Sequence, residues 1–389
     1  MYDFTSSIDR NGTGANKWDS RPEGLCKNYM PLSVADMEFS AAPEIKEALH
    51  KAVDHGIYGY TMPDDAYIQA LKHWFSTHHN FEIEKDNLVT TQGVISAIKH
   101  AIKAFSNEGD EVLIQPPVYY PFKASTLSLK RKIVENPLVR DESGRYHIDF
   151  EDLEQKLSRP TVKLMLLCSP HNPVGRIWSK EELTKLVELA KKYEVLIVSD
   201  EIHSDLIMPG KTHVSLANIP GVKDISIICT AVSKTFNLAG LMCSNIFIFK
   251  PELKEKFDMQ AKLDGAFGVP YFARSATIAA YQNAEAWLEE LIKVVDDNYK
   301  LLKDYIEKHF DKALVTPLEA TYLAWVDFSA YFDDEKSLED FMQNKAGLCL
   351  DEGYIFGDEG KGFERFNLAL PSLELKEALE RLKEASQTL

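Results

Sequence analysis

Ala231-Val232-Ser233-Lys234-Thr235-Phe236-Asn237-Leu238-Ala239-Gly240 follows an apolar run at 225–229, and this order of buried strand and then lysine among small residues decides how the rest of the chain is read. A lysine just past a buried strand can be held in a dry pocket with its amine partly deprotonated. Such an amine can form a Schiff base with an aldehyde. The same Ser-Lys-Thr run also fits a solvated turn. The spacing of three companions favours the first reading: Asn172 in His171-Asn172-Pro173-Val174-Gly175, Asp200 in Val198-Ser199-Asp200-Glu201, and Arg365 in Arg365-Phe366-Asn367-Leu368.

The 389 residues are long enough for two or three domains, and 45% apolar with 27% charged residues is an ordinary globular balance. With 44 basic and 60 acidic side chains the net charge is −16, which repels polyphosphate and argues against nucleic-acid binding. Five cysteines (Cys26, Cys168, Cys229, Cys243 and Cys349) form no Cys-x-x-Cys pair and no metal-ligand spacing with histidine. Buried reduced thiols in a cytoplasmic protein without metal are the expectation. Residues 1–16 are polar, and no window reaches the ~18 apolar residues that a membrane span needs.

Apolar runs at 88–91, 112–115, 164–168, 195–199, 225–229 and 245–249 alternate with helical patterns. The clearest of these helices covers 179–193, opened by the capping box Ser179-Lys180-Glu181-Glu182. Strands apolar throughout and alternating with helices predict an α/β fold with a mainly parallel sheet covered on both faces. Ligands of such sheets gather at the carboxyl ends of strands, where Tyr119, Asn172, Asp200 and Lys234 all fall. Gly93, Val94 and Ile95 follow the strand at 88–91 and open a helix. That geometry suits a phosphate and equally a plain strand-to-helix turn.

Residues 1–45 lack periodicity and read as an irregular arm associated with a small domain, in which Asp36 stands between apolar residues as a turn or cap. A large domain is expected over 46–285, with an exposed aromatic loop at Tyr58 and Tyr60. From 286 to 389 a small α+β domain is expected, entered by one long helix at 285–310. Its later elements are short strands at 313–317 and 322–328, a helix near 338–346, a strand at 363–370 and a final helix from about 373.

Taken in order, Asn172, Asp200, Lys234 and Arg365 in their local sequences resemble the fold-type I enzymes that use pyridoxal 5′-phosphate, and the resemblance runs from Val34 to Pro371. It implies that Lys234 attaches the cofactor and serves as base, and that Asp200 pairs with the pyridine nitrogen. Asn172 would donate to the phenolic oxygen, and Tyr119 would stack on the ring beside the substrate. Gly93, Val94, Ile95 and Ser233 would hold the phosphate, Tyr60 would reach it from the neighbouring subunit of a homodimer, and Arg365 would fork onto the α-carboxylate of an amino-acid substrate.

Within that family, Val34-Ala35-Asp36-Met37-Glu38-Phe39, Gly59-Tyr60-Thr61, Asp200-Glu201-Ile202-His203 and Ala320-Thr321-Tyr322-Leu323-Ala324-Trp325 resemble the cystathionine β-lyases, or C–S lyases. The implied reaction is α,β-elimination from cystathionine, cysteine or another S-substituted cysteine to pyruvate, ammonia and a thiol or hydrogen sulfide. An aminotransferase and a cofactor-bearing regulatory protein with a partner are the alternatives. The resemblance also brings Asp36 to the substrate and His203 to the cofactor, where aminotransferases usually carry tyrosine. Met242 stands where they often carry a basic phosphate contact.

Overall fold

The computed structural model describes residues 2–20 and 29–387, so Pro22, Gly24 and Cys26 of the arm lie outside the described residues. Seven strands build the central sheet: β1 (Leu88–Thr91), β2 (Glu111–Ile114), β3 (Lys132–Glu135), β4 (Val162–Cys168), β5 (Leu196–Asp200), β6 (Ser226–Thr230) and β7 (Ser244–Phe247). Their spatial order is β1-β7-β6-β5-β4-β2-β3. Every pairing from β6 through β3 is parallel, while β7 runs antiparallel to both β1 and β6.

Alternate residues of each strand feed two separate cores, which is why the strands are apolar without a break. Leu164, Leu166 and Cys168 join one core with Val198, Ile227, Cys229 and helix α1 (Val94–Phe105). Met165, Leu167, Ile197 and Ile228 point the other way and meet Leu183, Leu186 and Val187 of helix α2 (Lys180–Lys192). Full burial of each such aliphatic side chain contributes about 1.5–3 kcal/mol, so the sheet is a stiff platform for whatever stands on its strand ends. The expected capping box opens α2: Ser179 Oγ accepts from Glu182 N at 3.1 Å and Glu182 Oε2 accepts from Ser179 N at 2.7 Å.

A second sheet has four antiparallel strands, β8 (Leu314–Val315), β9 (Leu323–Asp327), β10 (Asp351–Glu352) and β11 (Phe363–Asn367), in the order β8-β9-β11-β10. The long helix of 25 residues, Glu285–His309, packs on the terminal helix Ser372–Ser386. Its buried Asn298 donates to the carbonyls of Leu368 and Leu370 at 2.9 and 2.8 Å. These bonds fix the chain just beyond β11, the strand that carries Arg365. Part of the arm is not irregular, because Met30–Pro31 pairs parallel with Leu348–Cys349. The helix expected near 338–346 is instead an α-helix at Glu335–Asp340 that widens into a π-turn at Phe341–Lys345.

Candidate active site

At the carboxyl ends of the central strands lies a cavity of about 320 Å³, lined among others by Gly93, Val94, Ile95, Tyr119, Asn172, Asp200, His203, Ser233 and Lys234. The sheet register explains the convergence. Asp200, the last residue of β5, is aligned with Cys168 of β4 and Cys229 of β6. Lys234 sits in the single helical turn Val232–Thr235 that follows β6.

Lys234 Nζ donates to the Ala35 carbonyl at 2.6 Å. Burial, with the nearby Arg365 charge, lowers its amine to about 8, against the pull of Asp36, Asp200 and Asp351. Burial pushes the Asp200 carboxyl up to about 7, opposed by the Ile202 N–H at 3.1 Å and by Lys234. A cationic ring nitrogen beside that carboxyl would hold it ionised. His203 is depressed to about 3 by burial and by the charges of Lys234 and Arg365. It is therefore a neutral imidazole at pH 7, and its buried Nδ1 has no protein partner.

Asn172 Oδ1 accepts from Arg365 Nη1 at 2.8 Å, which leaves Nδ2 as the group with hydrogens to donate. The Asn172 carbonyl accepts from Tyr119 N at 3.1 Å, tying the aromatic to the same wall. Burial raises the Tyr119 hydroxyl, so it stays protonated. Arg365 is 2% exposed and stands behind Asn172 rather than on the lining. Its Nε–H is buried without an acceptor.

Gly93 precedes α1 at φ +87°, a conformation that glycine adopts at little cost, and the first residues of α1, Val94 and Ile95, line the cavity with it. Ser233 stands opposite on the lining. Lys234 is the one cationic side chain among the described lining residues, and Met242 lines the same wall. Unpaired helix N–H groups, a serine hydroxyl, an amine near neutrality, a buried carboxyl and two orphaned nitrogens, His203 Nδ1 and Arg365 Nε, fit a phosphorylated pyridine aldehyde and its amino-acid substrate.

Besides Arg365, two expected residues are off this chain's lining, Tyr60 having been expected there only from a neighbouring copy. Asp36 is off the lining; its carboxylate is held by Arg10 Nη2 at 2.8 Å, with Lys17 Nζ at 3.8 Å. Tyr60 is 95% exposed, edge-on to Phe267 at 5.6 Å and outside the cavity of its own chain. Other contributors were not singled out by sequence. Cys168, Cys243, Gln92, Ser96 and Ala35 join the wall. Tyr322, which the sequence suggested for the pocket, stands just off the lining, its OH donating to the Ala35 carbonyl at 2.9 Å.

Such a site on such a sheet defines an enzyme dependent on pyridoxal 5′-phosphate, of the fold-type I class. Residues 27–382 match the family described as aminotransferase class I and II, and the chain belongs to it. It is 40% identical to cystathionine β-lyase PatB of Bacillus subtilis, covering 98% of this chain and 99% of that one. Protein MalY of Escherichia coli is 31% identical, with 98% of each chain covered. Among solved structures, cystalysin from Treponema denticola, which contains pyridoxal 5′-phosphate, superposes with a TM-score of 0.97 at 41% identity over 100% of this chain and 99% of that one. A pyridoxal-phosphate-bound C–S lyase from Staphylococcus hominis gives a TM-score of 0.92 at 32% identity, over 99% and 98%.

Proposed function

We propose that the chain is a C–S lyase that eliminates a thiol from the β-carbon of L-cystathionine, L-cysteine or a related S-substituted cysteine, leaving pyruvate and ammonia. The observation that carries it is the pairing of Lys234, lowered to about 8, with the Asn172–Arg365 contact on a lining that holds no second cation among its described residues. An α-amino acid would meet a base on that lining and, just behind Asn172, a carboxylate fork.

Pyridoxal phosphate, when bound, supplies the electron sink that makes the Cα–H of an amino acid acidic. The N-terminus of α1 with Gly93, Val94 and Ile95, together with Ser233, would hold the phosphate, while Asp200 would pair with the ring nitrogen. Tyr119 would face the ring, and Asn172 Nδ2 and His203 would donate to its phenolic oxygen. Arg365 fixes the α-carboxylate, so that Lys234 Nζ can take the Cα proton. The Ala35 carbonyl, already 2.6 Å from Nζ, then holds the resulting ammonium. Overall, the substrate and one water give a thiol, pyruvate and ammonium.

In the same reading the functional unit is a homodimer whose second copy lends Tyr60 to the phosphate. The arm (1–45) and 286–389 form a small domain beside a large one (46–285), and the enzyme works in the cytoplasm. Among the described residues no helix is long and apolar enough to cross a membrane. Thiol release tests the proposal: cofactor-loaded protein given L-cystathionine or L-cysteine should liberate titratable homocysteine or sulfide continuously, and no release from either would overturn it.

A further inference from the structure

Asp351 of β10 lies directly across the ladder from Arg365 of β11. Its Oδ2 accepts from Arg365 Nη2 and, at 2.9 Å, from the backbone N–H of Val34. Arg365 Nη1 is on Asn172, and the Phe356 ring lies 4.8 Å from the guanidinium carbon. The guanidinium is therefore clamped by a carboxylate from its own sheet, an amide from the turn beyond β4 of the central sheet and an aromatic face. What stays free is Nε–H, buried and unpartnered, and one N–H on each terminal nitrogen.

Val34 belongs to a turn that also closes on the lysine. Its φ is +52°, a left-handed conformation strained for a β-branched residue and kept only where surroundings enforce it. The carbonyl of the next residue, Ala35, receives both Lys234 Nζ and Tyr322 OH. Asn367, two residues beyond Arg365, donates to the carbonyls of Val34 and Asp36 at 2.8 and 2.7 Å. One short turn thus touches the amine directly and the guanidinium through Asp351.

We propose that Asp351 is a positioning residue for the substrate α-carboxylate: it holds Arg365 in the orientation that offers its fork and pins the turn at 34–36 to the same guanidinium. This rests on the reading that Arg365 receives the carboxylate. Because Asp351 Oδ2 serves two donors at once, its place matters as well as its charge. A carboxylate there only for charge would compete with the substrate, and its loss would tighten binding.

The test uses the cofactor-loaded full chain and two readouts, steady-state kinetics and the affinity for glycine. Glycine has no β leaving group, and its binding is followed through the visible absorbance of the cofactor. Asp351→Ala should raise KM and the glycine dissociation constant about tenfold with kcat within about threefold, as expected when a hydrogen bond that orients a charged group is lost. Asp351→Asn, whose amide oxygen can accept both donors, should recover most of that loss. Should the alanine variant fail to load cofactor, Asp351→Glu carries the test: with its charge kept and its carboxylate displaced by one methylene, it should still raise both constants. Unchanged constants, a fall in KM, or kcat and KM changing together with unaltered glycine affinity would overturn the proposal. Since glycine binding requires no elimination, failure of the lyase reading would show in product analysis while this affinity shift stayed intact.

Discussion

Arg365 and Asn172 meet between the two sheets, Nη1 donating to Oδ1 at 2.8 Å, so one bond sets both the carboxylate fork and the amide expected at the cofactor. Arg365→Lys keeps the charge but loses the planar fork and at least one of its two anchored arms. We predict a drop in kcat/KM of about 10- to 150-fold, most of it in KM, from the worth of a charge-assisted hydrogen bond. Initial rates over a range of substrate concentrations check it.

Lys234 is held at about 8 by burial beside Arg365, and its neutral amine is the form that attacks an aldehyde. A lowered value means that this form is already dominant above about pH 8. The rate at which cofactor-free protein takes up pyridoxal phosphate, read by absorbance, should rise with pH, pass its midpoint near 8 and level off about a unit above that. An unperturbed lysine would level off only above about 10.

On the opposite face of β11 from Arg365, Glu364 is 1% exposed with Oε2 unpartnered. Burial, with the charges of Glu352, Asp351 and Glu339, raises its carboxyl well above the ordinary value of 4.5. A raised native value gives stability that is present below the unfolded value and lost as pH climbs through the native one. Glu364→Gln removes this loss, so the variant should melt at the same or a higher temperature than the parent at pH 8, with a flatter rise in Tm on acidification toward the unfolded value. Scanning calorimetry across that range checks it.

Tyr60, Tyr58, Met62 and Phe267 are exposed large apolar side chains near one rim of the molecule, an arrangement typical of a covered interface. Light scattering should give twice the 44.1 kDa of the chain. Tyr60→Ala should weaken cofactor affinity even in protein that remains dimeric.

Much of this site is legible in the chain because Asn172, Asp200 and Lys234 each follow an apolar run, and parallel strands deliver their ends to one edge. Other features depend on pairing that local pattern does not encode. The run at 245–249 reads as a strand, but its antiparallel direction in β7 follows from the path of the chain around it. Asp351 gains its role only from its register with Arg365 across the ladder, and Ala35 contributes a carbonyl, which any residue carries. Asp36 reads from the sequence as a turn or cap, and only the resemblance brings it to the substrate; the arm folds back and gives it Arg10 and Lys17. The helix near 338–346 follows an apolar period that a π-turn also satisfies.

Pyruvate release from cofactor-loaded protein given L-cystathionine, with no keto acid present, tests the central claim most directly. The account predicts many equivalents of pyruvate per chain, matched by ammonia and homocysteine, with Lys234→Ala at background. Pyruvate at background, with the cofactor absorbance bleaching once to that of pyridoxamine phosphate, would contradict it and make the enzyme an aminotransferase.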